Sequence, residues 1–251
     1  MDCLTYRTDT CAIDLVGRIH ADRARPGLLI IGGSFAPAGH MHEYVDLFSG
    51  ASVLVAGMPG MRSEWMSPSI EQMRASFDQL IADLLPDRPL VVCAASTGCL
   101  IGLGLKAPTI RRHVAVEPFL RTAELWPFIE NARDRLARNP HREVLADYLW
   151  KLFGIAPDRL EDRDYRSVLR DLQVPTEVLV GELALLPERP LPQWPSFTSD
   201  AERLYWRNHP RATLHVGPPG SGHGVAEFEA ADVLKRLVHR CLRVAAGLDA
   251  G

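Results

Sequence analysis

The chain has 251 residues, 47% of them hydrophobic and 24% charged, with a formal net charge of −3. Those proportions are ordinary for a soluble globular protein with a full core, and the near-balanced charge gives no reason to expect nucleic acid or an anionic membrane as partner. No apolar run approaches the roughly 18 residues needed to cross a bilayer, and residues 1–10 lack the basic-then-apolar order of a signal peptide, so a cytoplasmic location is expected.

Residues 12–19 alternate apolar and polar side chains, as a half-exposed strand near a sheet edge does. Residues 27–31, Gly-Leu-Leu-Ile-Ile, read as a buried strand that ends in the turn Gly32-Gly33-Ser34-Phe35. A second buried strand, 52–56, is closed by Gly57-Met58-Pro59-Gly60. Ser69 to Leu85 has helical spacing, with Ile70, Met73, Phe77, Leu80, Ile81 and Leu84 on one side and a stop at Pro86. The run 90–95 is another buried strand, and Cys99 to Leu105 can begin a buried helix. Residues 113–116 form the next strand, ending at Glu117-Pro118, and 176–181 and 212–217 look like two more. Residues 226–246 close the chain as an amphipathic helix. Strands alternating with helices argue for a mostly parallel α/β sheet with helices on both faces.

One segment breaks the alternation. From 121 to 172 there is no strand candidate, only amphipathic helical pattern. It is expected to be a helical insertion over the C-terminal edge of the sheet, where ligands bind in such folds. Its aromatic residues Trp126, Phe128, Trp150 and Phe153 are expected to line an apolar pocket. The proline-dense stretch 186–195 reads as an extended loop inside one domain spanning 1–251. The five cysteines, Cys3, Cys11, Cys93, Cys99 and Cys241, are odd in number and show no metal-ligand spacing, which fits a reducing compartment.

The chemistry centres on Ala94-Ala95-Ser96-Thr97-Gly98, a serine in a tight turn between an apolar strand and a helix. That is the order of elements in a nucleophile elbow, with alanine in the first place of the usual Gly-x-Ser-x-Gly. A serine hydroxyl is a poor nucleophile until a base takes its proton, and histidine is the natural base near neutral pH. Of nine histidines, His20, His113, His215 and His239 fall within strand or helix patterns. His223, in the glycine-rich loop Gly217-Pro-Pro-Gly-Ser-Gly-His-Gly224 before the last helix, is the one placed to reach Ser96.

With Ser96 in mid-chain and Gly222-His223-Gly224 before the last helix, the chain resembles the α/β-hydrolase superfamily over essentially its whole length, with 121–172 in the place of the family's cap. The resemblance implies an α/β-hydrolase fold and an oxyanion hole of two backbone amides. One would be that of Thr97 and the other that of Ser34 or Phe35. Most relatives carry an aspartate shortly after the strand that here ends at Gly181, but this chain reads Gly181-Glu182-Leu183-Ala184. The triad acid is therefore expected at Glu117, with Glu182 the alternative and Asp200 third; Leu183 to Leu186 could keep Glu182 within the strand. The expected activity is a serine hydrolase cleaving a carboxylic ester of a small acyl substrate, or a thioesterase using the same residues. The slipped acid keeps a non-catalytic small-molecule binder in view. The full Gly-x-Gly-x-x-Gly spacing of a dinucleotide loop is absent, and no cofactor or metal is expected. Oligomeric state stays open.

Overall fold

Eight strands form one sheet, whose edge-to-edge order is β1 (Leu4–Arg7), β2 (Ala12–Arg18), β4 (Ser52–Ala56), β3 (Gly27–Ile31), β5 (Leu90–Ala95), β6 (Ile110–Val116), β7 (Thr176–Val180) and β8 (Ala212–Val216). The coordinates are a computed structural model describing residues 3–59, 68–139, 141–170, 172–190, 193–224 and 231–248. β1 and β2 pair antiparallel, as do β2 and β4, and every pair from β4 to β8 is parallel. Every residue of β3, β4 and β7 is buried. Strands covered by helices on both faces read as apolar runs for this reason, as residues 28–31 and 53–56 do, whereas β7 carries the buried Glu177, paired with His215 and Arg240.

The order β4-β3-β5 contains the feature that positions the site. From β3 the chain crosses to one side to make β4, and from β5 it crosses to the other to make β6. The loops leaving β3 and β5 therefore diverge, opening a crevice beyond the C-terminal ends of these two strands. Gly32–Phe35 leaves β3 there and Ser96 leaves β5.

The helix following Ser96, α3 (Thr97–Gly102), starts two residues before the apolar run and is shorter than that run suggests. Gly98 lets it lie directly on β3, since an added Cβ would stand 2.6 Å from the carbonyl oxygens of both Ile31 and Gly32. The other helices are α1 (Glu43–Leu47), α2 (Ile70–Leu84), α4 (Trp126–Arg138), α5 (Glu143–Phe153), α6 (Ser167–Arg170), α7 (Asp200–Asn208) and α8 (Ala231–Ala245). α2 begins at a reciprocal cap between Ser69 and Gln72 and α7 at one between Ser199 and Glu202, each satisfying two otherwise unpaired helix-start amides. The closing helix is described from Ala231; the predicted start at 226 lies outside the described residues.

Segment 121–172 supplies α4, α5 and α6 between β6 and β7, and it also makes two isolated bridges, Arg121 with Asp164 and Ile155 with Leu160. Those bridges are a departure from the purely helical expectation. Phe128, Ile129, Ala132 and Leu136 of α4 and Tyr148, Leu149, Leu152 and Phe153 of α5 are buried in the same core as β3, β5 and α2. On β6, His113 is 3% exposed, and neither ring nitrogen has a hydrogen-bond partner among the described residues. Burial pushes its pKa down to about 4. Among the described residues, no helix is long and apolar enough to cross a membrane.

Candidate active site

Ser96 sits between β5 and α3 with φ 52° and ψ −122°. A non-glycine residue at positive φ is strained and persists only where its surroundings hold it. Here the Ser96 amide donates to the Val116 carbonyl of β6 at 2.8 Å, and the Cys99 amide donates to the Ser96 carbonyl at 2.9 Å. The backbone is pinned on both sides, so the hydroxyl is held out above the sheet edge. Gly33 passes close by: a Cβ there would lie 3.1 Å from Ser96 Cβ and 3.7 Å from its Oγ. Phe35, two residues on, also has positive φ, 65°. The amides of Thr97, Ser34 and Phe35 donate to no protein acceptor among the described residues. All three residues line the same cavity as Ser96.

Glu117 follows β6 at φ 53° and is 1% exposed. A buried carboxylate is costly unless its oxygens are satisfied. The Gly181 amide donates to Oε1, and the Phe197 amide donates to Oε2 at 2.6 Å. The same Oε2 faces Nδ1 of His223 at 3.4 Å. That is longer than the roughly 2.6–3.2 Å of a tight contact between a base and its orienting acid. His223 is further fixed by its amide, which donates to the Trp194 carbonyl at 3.0 Å, and by the Phe197 ring stacked on its imidazole at 3.7 Å between centroids. Gly222 permits this docking, because a Cβ would stand 1.9 Å from the Trp194 oxygen. Ser96 Oγ makes no hydrogen bond to a described residue, His223 included, though both face one cavity.

The alternative acids lie elsewhere. β7 ends at Val180, so the apolar run after Glu182 does not hold that residue in the strand as expected. Its carboxylate instead accepts from the Gly220 amide at 3.1 Å, ordering the loop that carries His223. Asp200 opens α7 with its side chain 81% exposed and stands 3.9 Å from Arg203. Arg121, four residues after Glu117, pairs with Asp162 and Glu124.

The cavity holding Ser96, Glu117 and His223 measures about 680 Å³. Phe128 and Phe153 line it, but Trp126 and Trp150 do not, which corrects the expectation of four lining aromatics. The Trp126 indole donates to the Leu185 carbonyl at 2.9 Å. Trp150 faces Arg159 and Arg163, whose guanidinium carbons lie 4.1 and 5.1 Å from its ring centroid. In their place the wall is built by the ring of Phe35, named from the sequence only for its backbone amide, and by those of Trp194 and Phe197, which sequence reasoning did not assign to the site. The signal was there for two of them: Trp194 and Phe197 are the aromatics of an otherwise proline-rich and polar loop.

The strand order, the strained serine at the switch point and the late histidine loop define an α/β-hydrolase fold. Among solved structures, the chain is similar to the enol-lactonase from Burkholderia xenovorans (17% identity, 95% of this chain and 99% of that one, TM-score 0.67). It is also similar to the thioesterase domain from the curacin biosynthetic pathway (17%, 95% and 99%, 0.60) and to MGS-M2, an alpha/beta hydrolase enzyme from a Medee basin deep-sea metagenome library (14%, 97% and 97%, 0.64). At these identities the likeness is one of fold. No family model matches the chain and no curated protein matches it.

Proposed function

We propose that the protein is a serine hydrolase that cleaves a carboxylic ester of a small acyl substrate through an acyl-enzyme on Ser96. The observation that carries this reading is the strained Ser96, held into a cavity whose wall also contains His223, with the buried Glu117 carboxylate behind the imidazole. His223 takes the Ser96 proton as the oxygen attacks the carbonyl, and Glu117 holds the Nδ1–H tautomer and stabilises the imidazolium. The Thr97 amide and that of Ser34 or Phe35 receive the developing oxyanion. His223 then protonates the departing alcohol, and water, activated by the same base, releases the acid. Segment 121–172 acts as the cap, with Phe128 and Phe153 giving an apolar acyl site. All five cysteines are free and four are buried, which supports a reducing, cytoplasmic setting.

The test is labelling with a fluorophosphonate probe, which requires an activated serine. Wild type labels and Ser96→Ala does not, and the substitution lowers turnover by several orders of magnitude while the protein stays folded. Absence of labelling in folded wild type would leave a small-molecule binder on a hydrolase fold. Ester and thioester substrates of graded acyl length, assayed in parallel, identify the leaving group.

A further inference from the structure

Three hydroxyls meet behind the proposed oxyanion hole. Ser34 Oγ lies 2.7 Å from Thr97 Oγ1 and 2.7 Å from the phenol oxygen of Tyr148. Each hydroxyl has one proton to give and two lone pairs to receive with. Tyr148, on α5, is 0% exposed, and Thr97 is 1% exposed. Neither side-chain oxygen has another hydrogen-bond partner among the described residues. Burial raises the Tyr148 phenol well above its ordinary pKa, so it keeps its proton. A buried donor left unmade costs about 1–3 kcal/mol, so both buried hydroxyls spend their protons on the one acceptor within reach, Ser34 Oγ. That fills both of its lone pairs. Three protons share two contacts, and the proton left over belongs to Ser34, which is only half-buried and lines the cavity with Ser96.

Resting on the serine-hydrolase reading, we propose that the Ser34 hydroxyl is a catalytic residue, a side-chain donor to the oxyanion in addition to the backbone amides. Tyr148 and Thr97 act through it as positioning residues. They fix its rotamer, aim its proton at the cavity and, by donating to it, polarise its O–H bond. Because Tyr148 belongs to α5 while Ser34 and Thr97 follow β3 and β5, the donor is complete only when α5 is seated on the sheet edge.

The experiment compares wild type with Ser34→Ala, Ser34→Thr and Tyr148→Phe. It measures kcat and KM on the best ester, inhibition by phenylboronic acid, which forms a tetrahedral anion on the serine, and active-site content by fluorophosphonate titration. Ser34→Ala is expected to lower kcat about 100-fold, the scale for loss of one oxyanion donor. Its KM should stay within threefold of wild type, and boronate affinity should fall in parallel with kcat/KM. Ser34→Thr, which keeps a hydroxyl, restores most of the rate. Tyr148→Phe keeps the ring packing and loses about tenfold in kcat through looser aiming of the donor; it serves as the test if Ser34→Ala does not fold. A merely structural role would lower thermal stability and active-site content but leave boronate affinity per active site unchanged, and that result would overturn the proposal. So would equal losses in Ser34→Ala and Ser34→Thr. If wild type labels at Ser96 and turns over, such a failure removes only the hydroxyl donor; a wild type that neither labels nor turns over removes both readings.

Discussion

His113 is a built-in acid sensitivity, and its size follows from its surroundings. It stands in the middle of the sheet, 3% exposed and with no partner on either ring nitrogen among the described residues. Burial disfavours the imidazolium and pushes its pKa from 6.5 down to about 4. The sign is fixed by proton counting. Between pH 6.5 and 4 the unfolded chain binds a proton at this site that the folded protein refuses, so stability falls as pH falls through that window and levels off below it. A displacement of this size corresponds to about 3 kcal/mol when complete, and about 2 kcal/mol is already lost at pH 5. His113→Leu replaces the imidazole with an apolar side chain of similar bulk. Urea unfolding of both proteins at pH 7 and pH 5 isolates the term, because every other titrating group is shared. The wild type should lose about 2 kcal/mol more than the variant between these pH values. Equal losses would refute the reasoning and mean that His113 accepts its proton without penalty in the folded state.

Two further outcomes concern the site. Glu117→Gln should reduce kcat far more than Glu182→Gln, because an amide behind His223 can stabilise the wrong tautomer, whereas Glu182 only orders the Gly220 turn; steady-state kinetics of the two purified variants checks this, and a large loss at Glu182 alone would move the acid to that residue. Phe128→Ala should widen the acyl site and shift the preferred acyl chain toward longer groups in an ester panel, while Trp150→Ala, outside the cavity, should leave that preference unchanged.

The sheet was legible because burial on both faces writes an unbroken apolar run into the sequence, as in Leu28 to Ile31 and Val53 to Ala56. β1 was not. Its four residues are partly exposed and alternate weakly, and only pairing with β2 gives them a strand. α7 was also missed, although Ser199 and Glu202 carry its capping signal, because the proline-rich loop before it hides the start. Ser96, His223 and Glu117 were nameable from strand-end positions, and the fold brings them to one cavity. What holds them was not nameable. The amides on Glu117 come from 64 and 80 positions away, and the Tyr148 hydroxyl meets Ser34 across 114. Tyr148 reads in the sequence as one more aromatic on an amphipathic face, since local periodicity records which side is buried and not which atom is met there.

The carboxylate behind His223 belongs to the end of β6, and this divides labour along the chain. The segment from Gly181 to Ser199 contributes amides to Glu117 and rings to the cavity wall, but among its described residues no carboxylate faces Nδ1 of His223. Backbone amides survive substitution of the residues that bear them. The stretch of cavity wall formed by Gln193 and Trp194 can therefore exchange its side chains, and with them the shape of molecule admitted, while the carboxylate stays anchored in the sheet and the Phe197 ring keeps its place on the imidazole. Variants at these two positions should differ from one another in which substrate they accept before they differ in how the imidazole is oriented.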